Sequence, residues 1–427
     1  MIISVFLGSL LGAMAIGMPI AFALLASGVA LMFLMDMFDA QILAQNLVNG
    51  ADNYPLLAVP FFILAGEVMN AGGLSKRIID IAMSVVGHIR GGLGYVTVFA
   101  AIILGSLSGA AVADTAALAA ILLPMMRQAG YDPNRSAGLI AASGIIAPVL
   151  PPSIGYIIFG VAAGVSITKL FMAGIAPGLF MGLTLVITWW LLTRGEAHID
   201  HRPKQSARQI AVSVYRGGWA LMLPVIIIGG LRFGIFTPTE AGVVAAVYAC
   251  AVSVLVYRQL SWKALGRALV SSAKTSSVVM FLVAASMVAS WLITVADLPG
   301  EIVRLLDPFL DDKILLMMMM MLLVFAVGTA MDFVPTVLIL TPVLMPIVIA
   351  AEIDPVYFGV MFIINNAIGL LTPPVGTVIN VVCGVGRLPM DGVIKGVMPF
   401  LLALVIAMFL MTLFPALVTV PAAWFNG

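Results

Sequence analysis

Charge is scarce in this chain. Of its 427 residues only 9% are Asp, Glu, Lys or Arg, and they nearly cancel to a formal net charge of +1. A nucleic-acid partner needs a basic stripe to neutralise phosphates, and none survives among the apolar segments. Cysteine is nearly absent: Cys250 and Cys383 both sit inside apolar stretches, where a free thiol packs as a small hydrophobe and carries no redox or metal argument. Three histidines occur. His198 and His201 have i, i+3 spacing but lie in a basic, solvated linker without an acid-rich shell, so no transition-metal site is expected. No G-x-x-x-x-G-K-[ST] loop exists, which excludes ATP hydrolysis by a P-loop. No His, Cys or Ser-Lys arrangement lies at one membrane depth, so neither an enzyme nor a resident cofactor is expected.

Hydrocarbon is what the chain has. It is 63% hydrophobic with a mean hydropathy of +1.18, far outside the range of soluble domains. Most apolar stretches run 16 to 30 residues, and a helix needs roughly 20 to cross a hydrocarbon core of about 30 Å. The alternating ten-residue segments of a transmembrane barrel do not appear. The start, "MIISVFLGSLLGAMAIGMPIAFALL", lacks a basic n-region and outruns a signal peptide, so it is expected to be retained as membrane helix. These features predict an all-α polytopic membrane protein.

Proline then divides it. "APVLPPSIGYIIFG" (147–160) places three prolines in a stretch otherwise apolar enough to cross a bilayer, although an interior proline costs a helix roughly 3 kcal/mol. A shift of 222 residues carries Pro124 onto Pro346, Asp132-Pro133 onto Asp354-Pro355, Pro151-Pro152 onto Pro373-Pro374, Gly174 onto Gly396 and Pro177 onto Pro399. The chain is a duplicated unit. Residues 1–193 form the first repeat, 194–216 a polar linker, 217–235 a connecting transmembrane helix and 238–427 the second repeat.

Lysine and arginine orient the two copies. The arm 36–54 holds Asp36, Asp39 and Asp52 without a base, whereas its counterpart 258–274 holds Arg258, Lys263, Arg267 and Lys274 without an acid. The repeats are therefore expected to be inverted, with the N-terminus and the basic linker cytoplasmic and the C-terminus on the outer face. On that assignment both ends of 92–126 face the cytoplasm and both ends of 314–350 face outward. Each is expected to be a re-entrant helical hairpin, turning at "GSLSGAAVAD" (105–114) and "VGTAMDFVPT" (327–336). The proline stretches within 136–166 and 356–386 predict one broken helix per repeat. Unwound backbone survives in lipid only when buried in protein or lining a wet cavity.

Inverted repeats, hairpin tips and discontinuous helices meeting at mid-membrane are the pattern of a secondary transporter. Hard cations such as sodium prefer oxygen ligands, and Ser106, Ser108, Ser153, Thr329, Thr372 and Thr377 offer them beside the freed carbonyls. The same hydroxyls could instead let helices pack closely. Four acids lie within or at the edge of apolar runs: Glu67, Asp114, Glu240 and Asp332. An intramembrane carboxylate normally faces a partner or a cavity. Asp332 suits cation or substrate handling, or anchoring of the turn through backbone amides; its repeat counterpart is Ala110. Asp114 is a capping candidate. Asn365 and Asn366 precede the second break, where the first repeat has Ser143-Gly144, and could bond a hairpin or a substrate, or serve as packing.

"GIFTPTEAG" (234–242), "GSLSGAAVADTAALAAILLPMM", "LPPS" and "AAEIDPVYFGVMFIINNAIGLLTPPVGTVINVV" together resemble the large membrane (M, DctM-like) subunit of TRAP transporters, the tripartite ATP-independent periplasmic carriers. The likeness covers essentially the whole chain and looks greatest to the sialic acid (SiaM-like) branch. It implies an ion-transporter-superfamily fold of elevator type in the bacterial inner membrane. Sodium-coupled uptake of an organic anion is implied with it, of the sialic acid or C4-dicarboxylate kind. The implied partners are a small four-helix (Q) membrane subunit, here expected as a separate polypeptide, a soluble periplasmic binding protein (P), and lipid. The resemblance puts one sodium ion between Ser106, Ser108, Gly109 and Pro152-Ser153. A second falls between Gly328, Thr329, Asp332 and Thr372-Pro373. The substrate between them would meet Ser108, Ser153, Asn365, Asn366, Gly376 and Thr377. A sodium/dicarboxylate or citrate symporter of the same architecture, working without a binding protein, is the alternative.

Overall fold

A computed structural model describes residues 2–195, 204–297, 300, 304, 309, 312–373 and 375–426. His198, His201 and Pro374 lie outside the described residues. All regular structure among the described residues is helical, and eight helices are long and apolar enough to cross a membrane.

The first repeat opens with α1 (Ile2–Ala15) and α2 (Ile20–Leu34), which pack on each other. The apolar run 1–35 is therefore two helices. Gly17, at φ +85°, and Pro19 stop the first and start the second. The acidic arm contains α3 (Ala40–Ala51), whose first amides are held by Asp39 at 2.7 and 3.2 Å. Next come α4 (Ala58–Ala71) and the strongly amphipathic α5 (Leu74–Val86). The first hairpin is α6 (Gly92–Ser108) and α7 (Ala111–Gln128). The first broken helix is α8 (Pro133–Gly144) and α9 (Ile154–Ala163), followed by α10 (Ile167–Thr193).

The linker is shorter than its polarity predicts. A capping box between Ser206 and Gln209 starts α11 (Ala207–Arg232) ten residues before the apolar run at 217. Hydropathy marks where a helix can be buried; capping marks where it begins.

The second repeat runs α12 (Pro238–Ala251), then α13 (Trp262–Val295), whose 34 residues merge the basic arm and the following crossing. In the first repeat a short turn, Tyr54–Leu57, with Pro55 at its start stands between the same two pieces. The second hairpin is α14 (Lys313–Ala330) and α15 (Phe333–Ala350). Its broken helix is α16 (Pro355–Gly369) and α17 (Thr377–Gly386), and α18 (Met390–Leu413) and α19 (Ala416–Asn426) close the chain.

Packing is exchanged between the copies. α2 lies on α13 and α12 on α4; α7 lies on α17 and α15 on α9; α18 lies on α8 and α10 on α16. Each pair swaps one element of one repeat for its counterpart in the other, as a pseudo-twofold relation requires. The two arms of the second hairpin have 18 residues each, so length alone would let either cross a bilayer. Their tip instead meets the break between α16 and α17, as expected of a hairpin that turns back before completing a crossing.

Candidate functional site

The first break is sealed. Every residue from Ser136 to Ser153 is buried. The chain unwinds after Gly144 through overlapping turns, with Ile146, Ala147, Val149 and Leu150 amides bonded to carbonyls three or four residues back. Ser153 then caps α9: its hydroxyl donates to the Pro148 carbonyl and accepts from the Tyr156 amide at 3.4 Å. The Pro152 carbonyl receives no hydrogen bond from a described residue and points at the first hairpin turn. A Cβ at Gly109 would stand 2.5 Å from that oxygen, and Gly109 has φ +61°. Only glycine fits there.

Ser108 is 4% exposed and accepts from the Ala110 amide at 3.2 Å. Ser108, Gly109, Pro152 and Ser153 are thus brought together as expected. Ser106 is not. Its hydroxyl donates to the Ile103 carbonyl of its own helix at 2.7 Å, because a mid-helix serine finds its nearest acceptor one turn back.

The second break is open by comparison. Leu370, Leu371 and Gly376 are buried, Thr372 and Pro373 half-buried, and Val375 is exposed. Gly369 abuts Gly328 so closely that a Cβ on it would stand 2.8 Å from the Gly328 carbonyl. Asn366 reaches the tip, its amide donating to the Phe333 carbonyl at 2.8 Å. Asn365 turns to the Met321 carbonyl of α14. Both asparagines are fully buried, and each leaves its Oδ1 without a partner.

Asp332 is the N-cap residue of α15, yet its side chain bonds no helix amide. Its Oδ1 accepts instead from Thr377 Oγ1 at 2.9 Å, tying the second hairpin turn to the far side of the break. Gly376, at φ +45°, sets up that start of α17, and Asn380 reaches back to the Val375 carbonyl at 2.8 Å. Thr329 and Thr372 donate to Ala326 and Ile368, one turn back, as Ser106 does. Their hydroxyl protons are committed to their own helices.

The second hairpin tip also reaches the first break. The ring of Phe333, next to Asp332, lies 2.6 Å from where a Cβ of Gly155 would be, just after Ser153. One element of the second hairpin therefore touches both breaks.

The remaining acids sort by environment. Glu67 accepts from Ser271 at 2.9 Å and links α4 to α13. Glu240 accepts from the Thr237 amide and hydroxyl at 2.8 and 2.9 Å, completing a capping box at an exposed helix start. Asp114 does not cap: the N-cap of α7 is Ala110, and Asp114 lies inside the first turn, 2% exposed, with Oδ2 unpartnered. Thr115 and Ser143 also keep buried, unpartnered hydroxyls, and a Cβ on Gly144 would collide with Thr115 Oγ1. Sequence reading missed Thr115. The available signal was the Ser143-Gly144 pair standing where the other repeat has two asparagines. Among the described residues no three His, Cys, Asp or Glu side chains cluster, and Cys250 and Cys383 are half-buried free thiols.

The sequence model described as "Tripartite ATP-independent periplasmic transporter, DctM component" matches residues 7–417. The chain belongs to this family of TRAP large permeases. This TRAP permease is 58% identical over 426 residues to the 2,3-diketo-L-gulonate TRAP transporter large permease protein YiaN of Escherichia coli, covering all of both chains. It is 37% identical to the sialic acid TRAP transporter large permease protein SiaM of Vibrio cholerae, covering 95% of each. The expected nearness to the sialic acid branch thus gives way to a closer relative named for another substrate. The fold resembles the crystal structure of the Alcanivorax borkumensis YdaH transporter, with a TM-score of 0.64 at 16% identity over 92% of this chain and 91% of that one. The TRAP permease is a transport subunit and not an enzyme.

Proposed function

We propose that this large permease carries out sodium-coupled uptake of an organic anion of the sugar-acid class through an elevator motion. It would work with a small membrane subunit and a soluble periplasmic binding protein in a bacterial inner membrane. The lysine and arginine distribution supports a cytoplasmic N-terminus and a periplasmic C-terminus. The observation that carries the reading is a region of uncoiled, oxygen-bearing backbone at each break with a hairpin tip set against it: Gly109 against the Pro152 carbonyl, Gly328 against Gly369, and Asp332 tied to Thr377. Such a region suits hard cations and the carboxylate they accompany. One positive charge moving inward through 100 mV releases about 2.3 kcal/mol, so two sodium ions would drive accumulation of a monoanion. The relative named for 2,3-diketo-L-gulonate supports a sugar acid as substrate.

The test is uptake into proteoliposomes containing the permease, the small subunit and the cognate binding protein, with labelled 2,3-diketo-L-gulonate, sialic acid and a C4-dicarboxylate as competing substrates. The expected result is uptake of the sugar acid that needs both an inward sodium gradient and the binding protein. Equal uptake under a potassium gradient would remove the coupling, and uptake indifferent to the binding protein would favour the binding-protein-independent symporter.

A further inference from the structure

A groove of about 430 Å³ opens between α6 of the first hairpin and α10. Tyr95, Phe99 and Ile102, at i, i+4 and i+7 on α6, form one wall; Ile187 and Trp190 of α10 form the other, and Ile89 closes one end. Its walls are almost wholly hydrocarbon and aromatic ring.

The two ends differ in charge. Ile89 is followed by Arg90, which is exposed and makes no ion pair among the described residues. Trp190 is covered by the Arg194 guanidinium, 5.6 Å above its ring. The turn carrying Arg90 is fastened to the end of α10 by the Trp189 indole, which donates to the Gly91 carbonyl at 2.8 Å. Arg194 therefore stands over one end of an apolar slot, exposed Arg90 follows the residue that closes that end, and none of the lining residues is charged. At the equivalent positions 222 residues on stand Asp312 and Ala416.

We infer that this groove binds one anionic phospholipid, with an acyl chain along α6 and α10 and the headgroup phosphate between Arg90 and Arg194. Its polarity matches that of an amphiphile, and basic pockets between membrane helices hold acidic headgroups. A helix is about 10–12 Å across with its side chains, and even three turns of one would overfill the slot. The basic end also belongs to the face assigned to the cytoplasm from lysine and arginine.

Native mass spectrometry of the full-length protein, supplied with phosphatidylglycerol or phosphatidylcholine, tests this. The wild type is expected to retain one phosphatidylglycerol in preference to phosphatidylcholine. The double variant Arg90→Ala/Arg194→Ala should lose that preference by about thirtyfold, and Arg90→Lys/Arg194→Lys should keep most of it. Ile102→Trp, which fills the slot and leaves the arginines, should release both lipids alike. Unchanged phosphatidylglycerol selectivity in the alanine double variant would overturn the proposal. So would a disulfide between Phe99→Cys and a cysteine scanned along the small membrane subunit, which would show a protein helix there.

Discussion

The two breaks descend from one duplicated unit, each with a glycine packed backbone to backbone, and differ in burial and in what reinforces that contact. The first is closed by backbone: Gly109 lies against the Pro152 carbonyl and everything from Ser136 to Ser153 is buried. The second has a backbone contact of its own, Gly369 on Gly328, and adds side-chain ties: Asn366 bridges to Phe333, and an exposed Asp332–Thr377 bond holds its outer end. Contact between backbones is rigid because no rotamer can absorb a change, whereas a side-chain tie at the surface exchanges readily with water or an ion. The difference suggests which half tolerates alteration, and four substitutions probe it.

The largest effect is expected from Gly109→Val. A left-handed residue with a branched side chain costs about 1–2 kcal/mol in backbone strain, and forcing the tip off Pro152 adds about 1–3 kcal/mol of overpacking. Thermal unfolding in detergent should fall by several degrees and uptake should be lost. The counterpart Met331 is extended and half-buried, so Met331→Ala should change stability by under about 1 kcal/mol. Equal penalties at the two positions would break the comparison.

Asn366→Ala comes second. It removes a buried bond and leaves the Phe333 carbonyl short of a donor, a loss of about 1–3 kcal/mol, measurable by the same unfolding experiment. Asp332 is third and separates two roles. Asp332→Asn keeps an acceptor for Thr377 but removes the charge, whereas Asp332→Ala removes both. If the carboxylate serves a cation, both variants should raise the sodium concentration for half-maximal uptake by about tenfold, equivalent to about 1.4 kcal/mol, with stability nearly unchanged. If only the tie matters, Asp332→Asn should behave as wild type. The smallest effect belongs to Ser106→Ala. Its hydroxyl serves its own helix, so sodium dependence should not move, and Ser153→Ala, which uncaps α9 and frees the Pro148 carbonyl, should exceed it clearly in unfolding temperature.

Much of this was legible in the residues. Prolines and glycines repeating at a shift of 222 located both breaks, because each alters the backbone wherever it stands and needs no neighbour to do so. The hairpin turns fell inside their expected windows for the same reason. For Ser106, Thr329 and Thr372 the residues left open where the hydroxyl proton goes, its own helix or the space beyond, and each gives it to its own helix. Side-chain direction within a helix decides between them, and spacing alone cannot show it. Asp114 was misread as a cap because the helix begins at Ala111, a boundary set by the tight turn at Gly109.

By itself the sequence determined that the chain lives in a bilayer, that it was built twice, and where each copy must unwind. These are properties of local composition and covalent geometry. Only the tertiary structure decided that α7 packs on α17 and α15 on α9, that Phe333 touches both breaks, and that one break is sealed while the other opens. Exchange between copies joins residues two hundred positions apart. That choice depends on how whole helical faces fit, and no local pattern encodes it.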